Sequence, residues 1–305
     1  MCYTAQKGNG RIKRVPEYVI VIPQELDGRL VRHAAMQGLK LSSGQYKRAK
    51  FHGSVLLDGV QAMADAHVRA GQKLCVIIPE KENTRPEAVH IPLHIPYEDE
   101  YYWMIDKPAP LPTASRAKQE GPTLENAVFA LCGCPDSFVY RPVNRLDKGT
   151  SGLMLAAKTA HAQHLAQKLL HTDDFVREYL AVVDGFLPED EGVIELPIGK
   201  AEGATVRREV QQDGKEARTF YTVVEKGAYR SLVRLRLDTG RTHQIRVHMA
   251  AMGCPVAGDF LYGTELDALP GRFALHSARL RIRHPATGEW IERESPLPAA
   301  LRALV

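Results

Sequence analysis

The chain has 305 residues, of which 44% are hydrophobic and 25% are charged, and its 40 Lys and Arg against 36 Asp and Glu residues give a formal net charge of +4. This composition excludes an intrinsically disordered chain, and at roughly 150 residues per domain the length predicts two folded domains. The small basic excess is compatible with a phosphate-rich partner, but also with an ordinary solvated surface. No apolar run approaches the roughly 20 residues that span a bilayer, so we expect no membrane association.

The cysteines fit neither a disulfide framework nor a zinc site, because their number is odd and their spacing is unpaired. They are Cys2, Cys75, Cys132, Cys134 and Cys254. Cys132 and Cys134 have a single residue between them and no second pair to complete a metal site. We therefore predict a reducing, cytoplasmic location and no bound metal.

The N-terminal segment predicts a small α+β domain over residues 1–80. Its elements are a strand at Tyr18 to Pro23, a helix around Leu26 to Gly38, a basic helix near Ser43 to Phe51, a strand with a turn at Gly53 to Gly59, and a strand at Ala70 to Ile78. The Asp-Gly pair that ends the fourth of these elements is typical of a tight hairpin turn.

The order of basic helix, Asp-Gly turn and final strand resembles the alpha-L RNA-binding module of ribosomal and RNA-modifying proteins. This resemblance implies RNA contacts from Lys47, Arg48 and Lys50 on the basic helix. The helix carries fewer arginines than is usual in that module, and Asp58 stands where Asn usually precedes Gly. The alternative is a small α+β domain whose cationic surface binds no RNA.

Residues 81–98 are charged and rich in proline, which predicts a linker. Beyond them, strand-like runs are interspersed with a few helical ones and do not alternate regularly with them. Residues 99–305 therefore predict an α+β domain with a large mixed or antiparallel β-sheet flanked by helices and loops. The strand-like runs are Tyr101 to Ile105, Leu153 to Ala157, Glu178 to Val183, Ala217 to Val224, Ser231 to Leu237 and Ala274 to Arg283.

A first motif, at residues 141–152, reads Arg-Pro-Val-Asn-Arg-Leu-Asp-Lys-Gly-Thr-Ser-Gly and leads into an apolar strand. A turn ahead of a buried strand can hold one carboxylate rigidly at the edge of a cleft, and Asp147 is the candidate. The other interpretation is an Asx-type turn, in which the Asp147 side chain only caps the backbone. Taken alone, this segment favours the capping role.

A second motif, at residues 238–248, reads Asp-Thr-Gly-Arg-Thr-His-Gln-Ile-Arg-Val-His. Its alternation predicts an extended strand with Arg246 and His248 on one face and Ile245 and Val247 on the other. No carboxylate or Cys accompanies His243 and His248 in ligand register, so we expect polar contacts to RNA or backbone there, not a metal ion.

Together the two motifs resemble the RluA family of pseudouridine synthases, whose motifs read His-Arg-Leu-Asp-x-x-Thr-Ser-Gly and Gly-Arg-Thr-His-Gln-Ile-Arg-Val-His. The resemblance continues at residues 106–108, 177–185, 253–263 and 275–277, and it covers about residues 99 to 295. One departure is Asn144, where the family usually has His. We expect altered local hydrogen bonding at Asn144 and not a loss of activity.

The resemblance implies an isomerase that converts uridine in RNA to pseudouridine without a cofactor. It makes Asp147 the catalytic carboxylate, Tyr179 the aromatic ring packed against the target base, and Arg246 the ion-pair partner of Asp147. Arg241 lies in the same motif and is the alternative partner. The residues that are expected to hold the RNA are Arg145, Arg241 and His243.

This chemistry suits one ionised carboxylate. The reaction breaks the bond between ribose carbon 1 and uracil nitrogen 1, turns the base, and rejoins it through carbon 5. A carboxylate can attack the sugar, attack the ring or remove a ribose proton, and a neighbouring guanidinium keeps it charged. The residue types leave these three routes open. Because a stacked uridine cannot reach a carboxylate in a pocket, we expect the target nucleotide to be flipped out of the RNA.

We expect an RNA substrate, ribosomal RNA in preference to transfer RNA, and a monomeric cytoplasmic enzyme. One alternative is a catalytically silent RNA-binding or ribosome-assembly protein that retains the synthase fold. The other is a carboxylate-based hydrolase, which would need a second catalytic acid. Asp106, Asp238 and Asp259 lie near the motifs, but none has an evident role as that acid.

Overall fold

The chain forms two compact units. The residues that the computed structural model describes are 2–8, 11–63, 65–79, 86–115, 121–135 and 138–305, with side chains from residue 16 onward. One unit contains Met1–Arg85, Asp136–Val139 and Thr159–Leu165, and the other contains Pro86–Pro135, Tyr140–Lys158 and Ala166–Val305. The first part of the predicted linker, residues 81–85, lies outside the described residues.

The first unit contains a five-stranded sheet with helices, which agrees with the predicted α+β composition. Its elements are β1 (Cys2–Gly8), β2 (Arg11–Val21), α1 (Val31–Gly38), α2 (Ser43–His52), β3 (Ser54–Leu57), β4 (Val60–Gln61) and β5 (Lys73–Ile77). The strand order is β1-β2-β5-β3-β4, and each neighbouring pair is antiparallel. Strand β1 and the first half of β2 precede the strand predicted from Tyr18.

Local sequence signals account for two features of this unit. Ser42 caps helix α2 in a reciprocal box, because its hydroxyl accepts from the Gln45 amide while the Gln45 side chain accepts from the Ser42 amide. Between β3 and β4, Asp58 and Gly59 both have positive φ, 48° and 84°. These are the angles of a type I′ hairpin turn, which Asp-Gly sequences favour.

The second unit contains a nine-stranded sheet, which confirms the predicted large sheet and shows that it is mixed. Its strands are β6 (His94–Glu98), β7 (Tyr102–Lys107), β8 (Ser151–Ala157), β9 (Phe175–Asp184), β10 (Glu191–Ile194), β13 (Thr219–Lys226), β14 (Arg230–Leu237), β15 (Leu275–Arg283) and β16 (Trp290–Glu294). They follow the order β10-β13-β14-β9-β15-β8-β7-β6, and β16 pairs with β15. The β8–β15 pair is parallel, and the other pairs in this sheet are antiparallel.

The remaining elements are α3 (Leu124–Leu131), α4 (Ala160–Gln167), most of which belongs to the first unit, the two-stranded ribbon β11 (Ile198–Lys200) and β12 (Arg208–Val210), α5 (Gln244–Ala251) and α6 (Ala299–Arg302). None of the described helices is long and apolar enough to cross a membrane.

Burial explains why the central strands form. Strand β8 is buried at all of its seven positions, which matches its continuous apolar sequence. Strand β9 alternates instead, so that Phe175, Arg177, Tyr179 and Ala181 are buried on one face. An arginine therefore occupies a position on β9 that would ordinarily hold an apolar side chain.

The prediction of an extended strand at Ile245–His248 is wrong, because these residues lie in helix α5. Ile245, Arg246, Val247 and His248 are all buried, so the helix has no solvated face to give it an amphipathic period. The polar side chains have internal partners instead; His248 Nδ1, for example, lies 2.9 Å from Thr219 Oγ1. In a helix buried all round, β-branched residues that alternate with polar ones imitate a strand.

A second difference concerns the linker predicted for residues 81–98. Its last five residues form strand β6, which pairs with β7 through His94–Asp106 and Glu98–Trp103. The register shifts between these pairs, where Pro96 stands. Strand β6 is at the edge of the sheet, a position that tolerates proline because one side of the strand has no neighbour to bond.

Candidate active site

Asp147 lies in the turn that precedes strand β8. Thr113 fixes this turn, because its Oγ1 donates to Leu146 O at 2.7 Å and accepts from Leu146 N at 3.3 Å. The Thr150 amide closes the turn by donating to Asp147 O at 3.1 Å. These contacts use the backbone of Asp147, so its side chain, which is 31% exposed, is available to other partners.

Two glycines allow the turn to approach its neighbours closely. A Cβ atom on Gly149 would lie 2.6 Å from Cε1 of Phe273. A Cβ atom on Gly152 would lie 2.3 Å from Ser277 O, and Gly152 also has a φ of 101°. Both contacts are shorter than any side chain tolerates, so glycine is required where β8 begins.

Arg246 of helix α5 contacts Asp147 and Asp259 together. Its Nη1 donates to Asp147 Oδ2 at 3.1 Å, while Nε and Nη2 donate to the two carboxylate oxygens of Asp259 at 2.6 and 2.8 Å. Asp259 is fully buried, and its Oδ1 also accepts from the amides of Leu261 and Tyr262. Burial alone would lower the pKa of Arg246, but the two carboxylates outweigh it and raise the pKa.

Aromatic rings surround the same guanidinium. The Cζ atom of Arg246 lies 4.2 Å from the ring centre of Phe273, 5.0 Å from that of Tyr262 and 5.8 Å from that of Phe260. The faces of such rings attract a cation, by about 0.5–2 kcal/mol each. Arg246 is thus held in one position by two carboxylates and by this aromatic environment.

His243 lies on the other side of Asp147. It precedes helix α5 with a left-handed backbone, φ 59°, and its Nε2 is 3.8 Å from Asp147 Oδ2. Its Nδ1 lies 2.8 Å from Tyr262 Oη, which in turn accepts from the Arg208 amide at 2.8 Å. Burial lowers the pKa of His243, although the Asp147 carboxylate acts in the opposite direction. A neutral imidazole therefore faces the carboxylate at neutral pH.

Tyr179 of strand β9 is 5% exposed and hydrogen-bonds with Ser277. Burial raises the pKa of Tyr179, so its hydroxyl stays protonated near neutral pH. The residue lies opposite Leu235 of β14 and Ser277 of β15 in the sheet, which fixes the position of its ring. Tyr179 offers a rigid, neutral aromatic surface.

These side chains meet at one cavity of about 480 Å³. A volume of this order suits a small-molecule ligand or a single nucleotide. Of the residues predicted from the sequence, the ones that line the cavity are Arg145, Asp147, Tyr179, Arg241, His243 and Arg246.

Comparisons with known proteins identify a family whose model matches a region that contains both motifs. A family model described as RNA pseudouridylate synthase matches residues 101–251. The ribosomal large subunit pseudouridine synthase D of Nitrosomonas europaea is 37% identical, with 94% of this chain and 86% of that protein covered. The chain belongs to the RNA pseudouridylate synthase family. The resemblance to RluA-type synthases is therefore confirmed, and this pseudouridylate synthase is an isomerase that acts on RNA.

Two further relatives extend the comparison. The uncharacterized RNA pseudouridine synthase YhcT of Bacillus subtilis is 32% identical, with 98% of this chain and 97% of that protein covered. The solved structure of human RNA pseudouridylate synthase domain containing 1 superposes with a TM-score of 0.58 at 28% identity, covering 71% of this chain and 90% of that one. The α+β fold with a large mixed sheet is therefore a pseudouridylate synthase fold.

The two arginines of the second motif have different partners. Arg246 reaches Asp147, whereas Nε of Arg241 donates to Glu216 O at 2.8 Å. Asn144, which stands where the family usually has His, accepts from the Leu155 amide at 2.8 Å through its side chain. Its Nδ2 is buried and has no hydrogen-bond partner among the described residues.

The three basic residues predicted on helix α2 belong to the other unit and do not line the cavity. Lys47 and Lys50 are exposed. Arg48 is half-buried, and its Nε donates to Pro79 O at 2.7 Å. Lys47 and Lys50 are thus accessible to a ligand, while the Arg48 guanidinium already has one partner.

Sequence analysis did not assign Tyr262, and it considered Asp259 only as the second acid of a hydrolase, not as a partner of Arg246. The signal was present in the segment Gly-Asp-Phe-Leu-Tyr-Gly at residues 258–263, which follows the second motif closely. Asp259 is the nearest acid along the chain after Arg246, but this proximity alone does not show that the two side chains meet. Within the described residues, no group of three His, Cys, Asp or Glu side chains is arranged to hold a metal ion.

Proposed function

We propose that this enzyme isomerises a uridine of large-subunit ribosomal RNA to pseudouridine, with Asp147 as the catalytic carboxylate. The observation that supports this most strongly is that the Arg246 guanidinium donates hydrogen bonds to two acids in different environments. Asp259 is buried and fully bonded, whereas Asp147 takes one guanidinium hydrogen bond and faces the cavity. Asp147 is the acid of this pair that a substrate can touch.

The two carboxylate oxygens of Asp147 have different surroundings, and this difference leaves one of them available for reaction. Oδ2 accepts from Arg246 and lies near His243, while Oδ1 accepts no hydrogen bond from any described residue. Attack on the sugar, attack on the ring and removal of a ribose proton all begin from an ionised carboxylate, and Arg246 stabilises that form. The reaction is balanced internally: carbon 5 loses a proton when it joins ribose carbon 1, and nitrogen 1 gains one.

Tyr179 and the cavity account for how the base is held. A cavity of this size accepts one nucleotide and not a stacked strand, so the target uridine must leave the helix to reach Asp147. The protonated Tyr179 ring then covers the base by stacking. Arg145, Arg241 and His243 line the cavity and contact the RNA around that nucleotide.

The proposed substrate follows from the relatives that are named as acting on the ribosomal large subunit. Residues 1–80 form the proposed RNA-binding domain, with Lys47, Arg48 and Lys50 toward the phosphates. Residues 81–93 connect it to the catalytic domain, which begins with strand β6. A ribosomal RNA substrate is consistent with the cytoplasmic location that is expected from the sequence.

The test is to map pseudouridine in total RNA after a carbodiimide treatment that marks it. Cells that lack this gene are compared with cells rescued by the wild type, by Asp147→Ala, or by Asp267→Ala as a matched control at an exposed aspartate outside the cavity. We expect at least one site of large-subunit ribosomal RNA to lose its mark and to regain it with the wild type and Asp267→Ala only.

Three other results would change the proposal. A mark lost from transfer RNA would replace the substrate and retain the chemistry. Rescue by Asp147→Ala would exclude that residue as the catalytic carboxylate. If no site changes in any RNA, the protein is a silent RNA-binding relative.

A further inference from the structure

Arg177 is a buried cation that the proposed chemistry leaves without a role. It lies on strand β9 two residues before Tyr179, on the same face, and both residues line the active-site cavity. It is 5% exposed. Nη2 donates to Leu170 O at 2.9 Å, Nε is buried with no hydrogen-bond partner, and no described carboxylate lies within ion-pair distance of the guanidinium.

This arrangement is costly without a ligand. A guanidinium stays charged in proteins, and an isolated buried charge is strongly destabilising unless it is paired. The nearest acid that acts on Arg177 is Asp238, but that carboxylate already lies 3.7 Å from Arg218 and 3.9 Å from Arg236. Tyr179 is protonated and provides no charge. The described residues thus supply no further anion for Arg177, and a ligand that enters the cavity can supply one.

A glycine keeps the guanidinium open to the cavity. Gly240 is exposed and also lines the cavity, and a Cβ atom on it would lie 3.1 Å from Arg177 Nη1. Nη1 makes no hydrogen bond with any described residue. A side chain at position 240 would cover the atom of Arg177 that is free to bind a ligand.

The charges of the cavity indicate which anion enters. Its lining contains five arginines and one carboxylate, and the arginines are Arg145, Arg177, Arg208, Arg241 and Arg246. Arg246 is neutralised by Asp147 and Asp259, while Arg145, Arg208 and Arg241 are partly or fully exposed and can be solvated. Arg177 is thus the arginine of this lining that is both buried and unneutralised.

We propose that the Arg177 guanidinium binds a backbone phosphate of the substrate RNA next to the flipped uridine. Alternate side chains on one face of a strand are roughly 7 Å apart, a distance comparable with the size of one nucleotide. With the base against Tyr179, a phosphate of the same nucleotide reaches Arg177. Arginine suits this task because its planar fork matches phosphate geometry. This inference rests on the proposed binding of a flipped uridine in the cavity.

The experiment measures binding of a short single-stranded oligouridylate at several salt concentrations, without turnover. Arg177→Met removes the charge at nearly constant volume, and Arg234→Met makes the same change at an exposed arginine outside the cavity. We expect Arg177→Met to weaken binding about tenfold and to reduce the salt slope by about 0.7, while Arg234→Met changes neither. With an oligouridylate whose backbone is neutral methylphosphonate, wild type and Arg177→Met should bind equally.

A second variant covers the case in which Arg177→Met does not fold. Gly240→Ala leaves Arg177 in place and adds a methyl group beside Nη1. It should weaken binding of the phosphodiester and not of the methylphosphonate oligouridylate. Wild-type affinity and salt slope in a folded Arg177→Met, or an equal loss with both backbones, would overturn the inference.

The proposed function fails separately, because pseudouridine mapping reports chemistry and this assay reports phosphate binding. If mapping finds no modified site but binding still depends on Arg177 and on backbone charge, the phosphate site stands without the isomerisation.

Discussion

Asp147 and Asp259 bind the same guanidinium, but one side chain is partly exposed and the other is fully buried. Asp147 lies in a turn, is 31% exposed and accepts one hydrogen bond from Arg246. Asp259 is fully buried and accepts two from Arg246, together with two from backbone amides. One acid keeps an oxygen for a ligand, while the other has used both of its oxygens inside the protein.

The difference in burial suggests that the two acids contribute to different properties, one to the stability of the fold and the other to the reaction. Removing the fully buried Asp259 takes two of the three carboxylate hydrogen bonds from Arg246, whereas removing the partly exposed Asp147 leaves both bonds to Asp259 in place. Asp259 should therefore be needed for folding and Asp147 for chemistry. The following changes test that separation, in order of decreasing expected effect.

The largest effect should come from Asp147→Asn. This change keeps the shape of the side chain and removes the ionised carboxylate, so pseudouridine formation on the mapped RNA should fall at least about a thousandfold. The free energy of unfolding should change by less than about 1 kcal/mol, because Asp147 is partly solvated and Arg246 keeps both hydrogen bonds to Asp259. Single-turnover kinetics and urea unfolding measure the two quantities, with Asp267→Asn as the control. Retained activity would contradict the assigned role.

Asp259→Asn should show the reverse balance. It leaves the buried Arg246 with half of its partners, so the free energy of unfolding should fall by about 3–5 kcal/mol in urea titration. Asp190→Asn is the matched control, because it breaks an exposed ion pair with Lys226 and should cost less than about 1 kcal/mol. An equally small loss for both variants would show that burial does not decide the contribution of Asp259.

Tyr262→Phe examines the link between the two acids. The Tyr262 amide donates to Asp259, and its hydroxyl joins His243 Nδ1 to the Arg208 amide. Loss of the hydroxyl leaves two groups without that partner and should cost about 1–2 kcal/mol in thermal or urea unfolding. Tyr229→Phe, at a tyrosine that is 85% exposed, should cost nothing measurable. An unchanged stability of Tyr262→Phe would mean that water replaces the hydroxyl.

The smallest effect concerns pH. Burial lowers the pKa of His243 in the folded protein, so below the ordinary value of about 6.5 the unfolded chain takes up a proton that the folded chain refuses. The stability from this group is present above about pH 6.5 and is lost as the pH falls toward the folded pKa. His243→Asn should reduce the loss of unfolding free energy between about pH 7.5 and about pH 5.5.

Asn suits this position because it tolerates the left-handed backbone of His243. The exposed His33 provides the control, and His33→Asn should leave the pH dependence of unfolding unchanged. A His243→Asn variant with the wild-type pH dependence would assign the proton uptake to other groups.

The secondary-structure elements that could be predicted are those whose sequence pattern is local. The apolar run of β8 and the Asp-Gly turn at Asp58 are local patterns, and both elements form where they were predicted. Helix α5 was predicted as a strand, because burial on every side removes the period that identifies a helix. Strand β6 was counted with the linker, because its sequence contains a proline and its extended structure depends on pairing with β7, which the local sequence does not show.

The site shows the same limit. Residues 142–147 of the first motif and 240–246 of the second line one cavity, whereas His248 does not. Asp259 and Gly240 could not be assigned, because the role of each depends on the position of one arginine in three dimensions. Spacing along the chain indicates that an acid is present, but it does not show which cation that acid reaches or which atom a glycine leaves uncovered.

The separation of Asp147 and Arg246 along the chain has a consequence for biosynthesis. These residues are 99 positions apart, and Phe273, which packs at Gly149 and beside Arg246, comes later still. Contacts between such distant residues form only after the intervening strands have assembled. A nascent chain should therefore lack an organised Asp147–Arg246 pair until strand β15 has emerged from the ribosome and joined the sheet. The enzyme would then be able to modify RNA only after synthesis of the catalytic domain is complete.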